Sequence, residues 1–291
     1  MRVLVTGGTG YVGSEVVAQL VGAGHDVRAL VRTPGAKLAA GAEPVQGDVT
    51  DADSLVHAAA GMDAMVHMVA ILDGSDAQFE AINAGGARNA LAAAKANGIE
   101  RFLHMSAIGV NGENAPLTRY WRTKWAAKQA VMESGLRWTA FEPSFVFGHG
   151  GGALAVFERL LRMPVVGVIG DGRYRHQPVW IEDVGRSYVA ALERPDLTAG
   201  KVYELGGPQA FTFDELLDEL ARATGRPRRR KVHVPVGLMK AQATVLKYFP
   251  EPLKVTPEQI VMLVAGGECD LGPMRADLSV EPASLAGAYT R

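Results

Sequence analysis

Val5-Thr6-Gly7-Gly8-Thr9-Gly10-Tyr11-Val12-Gly13 joins an apolar run, Val3–Val5, to a stretch of helical composition that runs from Tyr11 to about Ala23 and is ended by Gly24. A strand that breaks into glycines and then opens a helix makes a tight turn. Glycine removes the side chains that would block the backbone N–H groups of such a turn, and the helix start adds the positive end of its dipole. Together they suit a pyrophosphate. The spacing satisfies Gly-x-Gly-x-x-Gly at Gly8, Gly10 and Gly13, and also Thr-Gly-x-x-Gly-x-x-Gly from Thr6-Gly7 through Gly10 to Gly13. Thr6, Gly7, Gly8, Thr9, Gly10, Tyr11, Val12 and Gly13 are therefore expected to contact a dinucleotide; a glycine-rich hairpin is the bland alternative.

Outward from the turn, short β-branched runs alternate with alanine-rich stretches. Strands are expected at Val3–Val5, Val27–Val31, around Val45 to Val49, Ala64–Val69, Phe102–Met105 and Trp138–Phe141. Helices are expected between them: one capped by Asp51-Ala52-Asp53-Ser54, one from Phe79 to Asn97 despite Gly85-Gly86, and one from Tyr120 to about Ser134. Six strands alternating with helices before residue 145 imply an α/β fold, a Rossmann-type doubly wound parallel sheet. Beyond Gly148 the rhythm becomes irregular. Residues 1–148 are read as the dinucleotide-binding domain, its sheet completed by segments near 176–206, and residues 149–291 as mainly a smaller α+β substrate-binding lobe. In that lobe Thr212–Thr224 carries Phe213, Leu216, Leu217 and Leu220 at helical spacing, and 236–247 and 256–265 look like two further helices.

The gross numbers exclude several classes. With 30 basic and 31 acidic residues among 291, the chain has no global drive toward nucleic acid. No segment approaches the roughly 18 consecutive apolar residues of a membrane span. The start of the chain lacks a charged, apolar export signal, and the single cysteine, Cys269, excludes an intrachain disulfide framework, so a cytoplasmic setting is expected. His104 and His176 have no metal-ligand spacing, and no metal is expected. The basic run Arg226–Lys231 reads as a solvated loop. Val236–Leu253 could form an apolar helix that covers a cleft or touches a membrane surface, with ordinary lobe packing preferred.

The second strand ends in Leu30-Val31-Arg32, without the acid that would bond a ribose 2′-hydroxyl and repel a 2′-phosphate. Arg32, Arg28 and Lys37 could neutralise a phosphate instead, which favours NADP(H) over NAD(H). Asp48-Val49, past the third strand, could meet the adenine; a helix-entry turn would use the same residues. Tyr120-Trp121-Arg122-Thr123-Lys124 places a phenol and an ammonium four residues apart, on one helix face. A nearby ammonium is expected to lower the phenol pKa so that Tyr120 can move a proton as hydride moves.

Thr6–Gly13, Asp48-Val49, Asn83, Ser106 and Tyr120-x-x-x-Lys124 together resemble the short-chain dehydrogenase/reductase superfamily in its extended or atypical, epimerase/dehydratase-like branch. Glu142-Pro143-Ser144-Phe145-Val146-Phe147-Gly148 is similar to that branch's Arg-Pro-x-x-Val-aromatic-Gly segment, and Gln177–Val184 to its hydrophobic-x-Asp-Val stretch. Tyr203-x-Leu-Gly-Gly-Pro208, Phe211-Thr212-Phe213-x-Glu215-Leu216 and Thr256-Pro257-x-x-Ile260 resemble the subgroup around the nucleotide-binding accessory subunit of respiratory complex I. The resemblance implies Tyr120 as acid/base, Lys124 as its partner and ribose contact, and cofactor contacts at Val69, Ala70, Asn83, Pro143 and Phe145. It implies a substrate-polarising hydroxyl just past the fifth strand, at Ser106 or, in the neighbouring register, at Ala107, which has none. Glu142 stands where the branch has Arg, reversing a charge near the nicotinamide end. The implied function is NAD(P)(H)-dependent hydride transfer on a small alcohol or carbonyl substrate, with a non-catalytic NADP(H)-binding structural or redox-sensing protein as the alternative.

Overall fold

The apolar runs pair into one sheet. Arg2–Thr6 (β1), Asp26–Val31 (β2), Glu43–Gln46 (β3), Ala64–His67 (β4), Arg101–Met105 (β5), Arg137–Pro143 (β6) and Lys201–Leu205 (β7) lie in the order β7-β6-β5-β4-β1-β2-β3. Every neighbouring pair is parallel. Parallel strands covered on both faces need apolar side chains all along their length, and Val3, Leu4, Val5, Ala64, Met65 and Val66 are all fully buried. The order reverses at β1, whose neighbours are β2 and β4, so the chain's crossovers leave in opposite directions there. A crevice at the strands' C-terminal ends is the consequence.

This computed structural model describes residues 1–148, 151–246 and 256–289. Its helices include Tyr11–Gly22 (α1), Ala52–Ala59 (α2), Asp76–Phe79 (α3), Gly86–Ala96 (α4), Arg119–Met132 (α5), Ile181–Glu193 (α6) and Gly272–Leu278 (α7). Helix α2 packs on α4 and α4 on α5, while α1 packs on α6 and α6 on α7. The α1–α6 approach is close because Gly185 has no side chain: a Cβ there would lie 2.5 Å from Gln19 Nε2.

Two elements differ from expectation. The stretch expected as one helix from Phe79 to Asn97 follows a helical path but contains a π-helical turn at Glu80–Gly85 between α3 and α4. Gly86 packs there on Val49, where a Cβ would approach to 3.0 Å. The third strand covers Glu43–Gln46 and so begins and ends earlier than expected, while Asp48-Val49 lies past its end, as expected.

The chain divides into two units: Met1–Pro143, Ile181–Leu205 and Leu271–Glu281 in the first, and Ser144–Trp180, Gly206–Asp270 and Pro282–Arg291 in the second. The second unit has no large sheet among its described residues. Val165–Ile169 pairs in parallel with Arg230–Val234, and Arg175–His176 pairs antiparallel with Phe211–Thr212. The amphipathic helix expected near Thr212–Thr224 spans Phe213–Ala223, closed at its start by a capping box between Thr212 and Glu215. Phe213, Leu216, Leu217 and Leu220 join Phe147, Leu154 and Trp180 in the unit's own core. The expected helices at 236–247 and 256–265 appear as Val236–Leu246 and Pro257–Ala265. Tyr248, Phe249, Pro250, Pro252 and Leu253 lie outside the described residues.

Candidate functional site

The glycine turn has the geometry a pyrophosphate requires. Gly7 has φ +84°, a left-handed conformation that favours glycine. A Cβ on Gly13 would lie 2.0 Å from Gly7 O, so no side chain fits there without moving the backbone. Gly10 N–H donates to Gly7 O (3.0 Å), and helical bonding begins with Ser14 N–H donating to Gly10 O (2.8 Å). Gly10 is the N-cap of α1; no side chain caps the helix and no acidic residue occupies its first turn. The missing Cβ at Gly13 lets the helix start pack directly on the backbone of Gly7 and Gly8, and the first-turn N–H groups carry no side-chain cap, with the positive end of the helix behind them. These features fit the dinucleotide implied by the sequence. Val69 borders the cradle, since a Cβ on Gly7 would meet Val69 N at 3.2 Å. Ala70, next along the chain, is exposed.

At the ends of β2 and β3, Arg32 is exposed. Burial raises the pKa of Asp48, but hydrogen bonds from Thr50 N–H and Oγ1 (2.9 and 2.8 Å to Oδ1) and the charge of Arg32 outweigh it, and the net shift is downward. Asp48 Oδ1 is thus engaged in the turn that leads into α2. Val49 is buried, and its carbonyl accepts from Asn89 Nδ2 (2.9 Å). Arg28 is not positioned as the sequence suggested. It lies mid-strand, and its Nη1 donates to Ala58 O and Ala60 O (3.1 and 3.0 Å) at the end of α2. A cation serving the negative end of a helix is withdrawn from phosphate binding.

Asn83 sits in the π-helical turn, and both ends of its amide are engaged. Ile71 N–H donates to Asn83 Oδ1 (2.8 Å), and Asn83 Nδ2 donates to Ile71 O (3.3 Å) and Thr123 Oγ1 (3.2 Å). The residue ties the loop after β4 to α5, one residue before Lys124. π-Helical turns recur where a side chain must be re-aimed, and this one points a buried amide between two segments of the site.

On α5, Tyr120 is half-buried and Lys124 is buried, with the lysine Nζ donating to Met105 O at the end of β5. Burial lowers the Lys124 pKa to about 7, and the charge of Glu142 opposes that shift. Burial also pushes the Tyr120 phenol up to about 12. Solvent reaching the exposed part of the ring tempers that shift, but its direction keeps the phenol neutral at pH 7. The expectation that Lys124 lowers the phenol pKa is therefore corrected. Desolvation dominates the phenol, and the lysine that was to offset it is directed at a backbone carbonyl. Ser106 follows β5 directly, is 2% exposed, and its Oγ closes no hydrogen bond among the described residues. Ala107 is half-buried. Pro143 ends β6 within the first unit. Phe145 belongs to the second unit, where its ring stacks on His176 with centroids 4.3 Å apart.

Four further residues of this corner were not anticipated as a group. Lys128, one turn beyond Lys124, pairs with Glu142 (Nζ to Oε1, 2.6 Å), and both side chains are about nine-tenths buried. The i, i+4, i+8 spacing of Tyr120, Lys124 and Lys128 was a usable signal. His67 and His104 occupy paired positions on β4 and β5 with rings stacked 5.7 Å apart, and His67 Nδ1 meets Thr6 Oγ1 at 2.8 Å. Burial, reinforced by the positive charge of Lys124, holds both imidazoles neutral, His67 at about 3 and His104 well below its usual value. Among the described residues no cluster of His, Cys, Asp and Glu could hold a metal ion, and no helix is long and apolar enough to cross a membrane.

Residues 7–159 match the family described as NAD(P)H-binding. The chain is 29% identical over 319 residues to a protein of Mycobacterium tuberculosis named 3 beta-hydroxysteroid dehydrogenase/Delta 5-->4-isomerase, covering 97% of this chain and 86% of the relative. It is 30% identical to the mitochondrial NADH dehydrogenase [ubiquinone] 1 alpha subcomplex subunit 9 of Arabidopsis thaliana, covering 82% of this chain and 61% of that protein. Among solved structures, a nucleoside-diphosphate-sugar epimerase from Staphylococcus aureus superposes with a TM-score of 0.80 at 19% identity, each chain covered in full, a likeness of fold. With the glycine cradle and the parallel sheet, the family match establishes that the chain belongs to the NAD(P)H-binding family, and its fold is that of the epimerase structure.

Proposed function

We propose that this chain is an NADP(H)-preferring oxidoreductase that interconverts a small-molecule carbonyl and its alcohol, with Tyr120 as acid/base. The observation that carries this reading is the joining of Tyr120 and Lys124 on one face of α5 to the end of β5, through the Lys124 bond to Met105 O beside Ser106. The turn at Thr6–Gly13 would hold the dinucleotide, and Arg32, exposed past β2, would meet the 2′-phosphate. A dinucleotide bound there would supply the hydride chemistry. The protein's own part is proton management. A neutral phenol at Tyr120 can give its proton to a substrate oxygen as negative charge develops there, which suits carbonyl reduction. Lys124, with a pKa near 7, can take up or return a proton near neutrality, and Ser106 supplies a buried hydroxyl. Asn83 positions rather than reacts, since its amide is engaged within the protein.

The test is NADPH oxidation across a panel of ketones and aldehydes. Tyr120→Phe should abolish turnover while leaving NADPH affinity nearly intact, whereas unchanged turnover would remove Tyr120 from the chemistry. The likeness to a respiratory-chain subunit supports one other reading, a non-catalytic NADP(H) holder. That reading expects tight NADPH binding with no oxidation by any member of the panel.

A further inference from the structure

We propose that Glu142, held by Lys128, is a positioning residue that decides whether the Ser106 hydroxyl offers its proton or its lone pairs to the substrate oxygen. This rests on the reading that Ser106 faces that oxygen. β5 and β6 run in register with Met105 opposite Phe141, and Ser106 N–H donates to Phe141 O at 2.7 Å. Continuing that register sets Ser106 across from Glu142, on the same side of the sheet. Both are buried, at 2% and 6% exposure. Ser106 Oγ is a buried polar atom without a close partner among the described residues, and its hydroxyl is near enough to the Glu142 carboxyl to act on it as a donor that lowers its pKa.

The chemistry follows from counting protons. A serine hydroxyl has one proton to give, and an ionised carboxylate can only accept. With Glu142 ionised, the Ser106 proton is drawn to the carboxylate, and the hydroxyl turns lone pairs toward the substrate. That arrangement suits an alcohol, which brings its own proton. With Glu142 protonated, the carboxylic acid donates to Ser106 Oγ, and the serine proton is free for a carbonyl oxygen. Carbonyl reduction therefore calls for the protonated acid, and alcohol oxidation for the ionised one.

The charges around Glu142 set the balance. Lys128 and Lys124 on α5 favour the ionised form. Glu204, its register partner on β7, and burial itself favour the protonated form. His104 on β5 is neutral. The net shift is upward, chiefly from burial, so the acid persists to higher pH than an exposed glutamate. Lys128 is needed because without it the carboxylate would stand unpaired in the interior.

The test is a carboxyl titration of Glu142 by isotope-edited infrared or carbon-13 spectroscopy on the whole protein, paired with the pH profile of ketone reduction. Ser106→Ala, which removes a single buried oxygen, should raise the Glu142 midpoint by removing a donor to the carboxylate, and Lys128→Met should raise it further. Glu142→Gln presents an amide that donates to Ser106 at any pH, so its reduction profile should lose the roughly tenfold-per-unit fall that one proton imposes above the Glu142 midpoint. Glu142→Leu removes the acceptor altogether, so the serine proton stays free for the substrate and the reduction profile should likewise lose that fall, with KM nearly unchanged. A Glu142 midpoint unmoved in Ser106→Ala, or a Glu142→Gln profile that matches wild type, would overturn the proposal. The titration needs no substrate, so it stands even if Tyr120→Phe shows that the chain does not reduce carbonyls.

Discussion

The glycine turn at residues 6–13 and the corner made by Ser106, Tyr120 and Lys124 belong to one sheet, yet they are built from different material. The turn is backbone. Its defining facts are the φ of Gly7, the missing Cβ at Gly13 and an uncapped helix start. The corner is side chains, and its defining facts are burial and charge: a phenol pushed up to about 12, a lysine brought down to about 7, and a buried Lys128–Glu142 pair. A backbone device depends on residues adjacent in sequence. An electrostatic device depends on what the fold packs around it, and a single neighbour can reverse its sign.

Substitutions can break or sharpen that contrast. The largest effect belongs to the corner: Tyr120→Phe should lower kcat by about 10²–10⁴, the usual contribution of a positioned acid/base, with NADPH affinity unchanged. Next is Lys128→Met, which leaves Glu142 without its partner. Urea unfolding should show a loss of about 3–5 kcal/mol, and no loss would mean that solvent, rather than the pair, satisfies the carboxylate.

Gly13→Ala should act on the turn alone. Its new Cβ must displace the Gly7 carbonyl, and an overpacking penalty of about 1–3 kcal/mol corresponds to roughly 5- to 150-fold weaker NADPH binding in a titration. At any single pH near neutrality a smaller effect, read in stability against pH, concerns the buried histidines. Their folded pKa values lie below the unfolded value, so the unfolded chain binds more protons as pH falls. Stability should therefore be complete above about 6.5 and fall as pH drops toward 3, by up to ~1.4 kcal/mol per unit for each group. His104→Phe should flatten that slope. The smallest effect expected is from Arg32→Ala, which, if the proposed preference for NADPH over NADH holds, should narrow it by about tenfold, because an exposed guanidinium is partly screened by salt.

The same contrast explains what the sequence could tell. The strand–glycine–helix pattern is local and strong, and the six early strands appear within a few residues of their expected places. The π-helical turn was not legible, because Gly85-Gly86 signals only a weakened helix, and the close approach of Gly86 to Val49 beside the turn is a contact between residues distant in sequence. Arg28 looked like a phosphate ligand in sequence, yet the fold directs it to the carbonyls at the end of α2. Tyr120-x-x-x-Lys124 was visible, but the sign of the phenol shift was not: it depends on desolvation and on where the lysine Nζ finds an acceptor. Lys128 was visible as helical spacing, and its partner Glu142 as an odd residue in a familiar segment. Only the register of β6 beside β5 brings the two to one place.

One measurement separates the two devices most directly: calorimetric titration of NADPH into the wild type, Tyr120→Phe and Gly13→Ala. Wild type and Tyr120→Phe are expected to bind alike, with Gly13→Ala weaker by at least several-fold. Equal binding by Gly13→Ala, or a loss in Tyr120→Phe as large as the one expected at Gly13, would contradict the division between a backbone that binds and a corner that reacts.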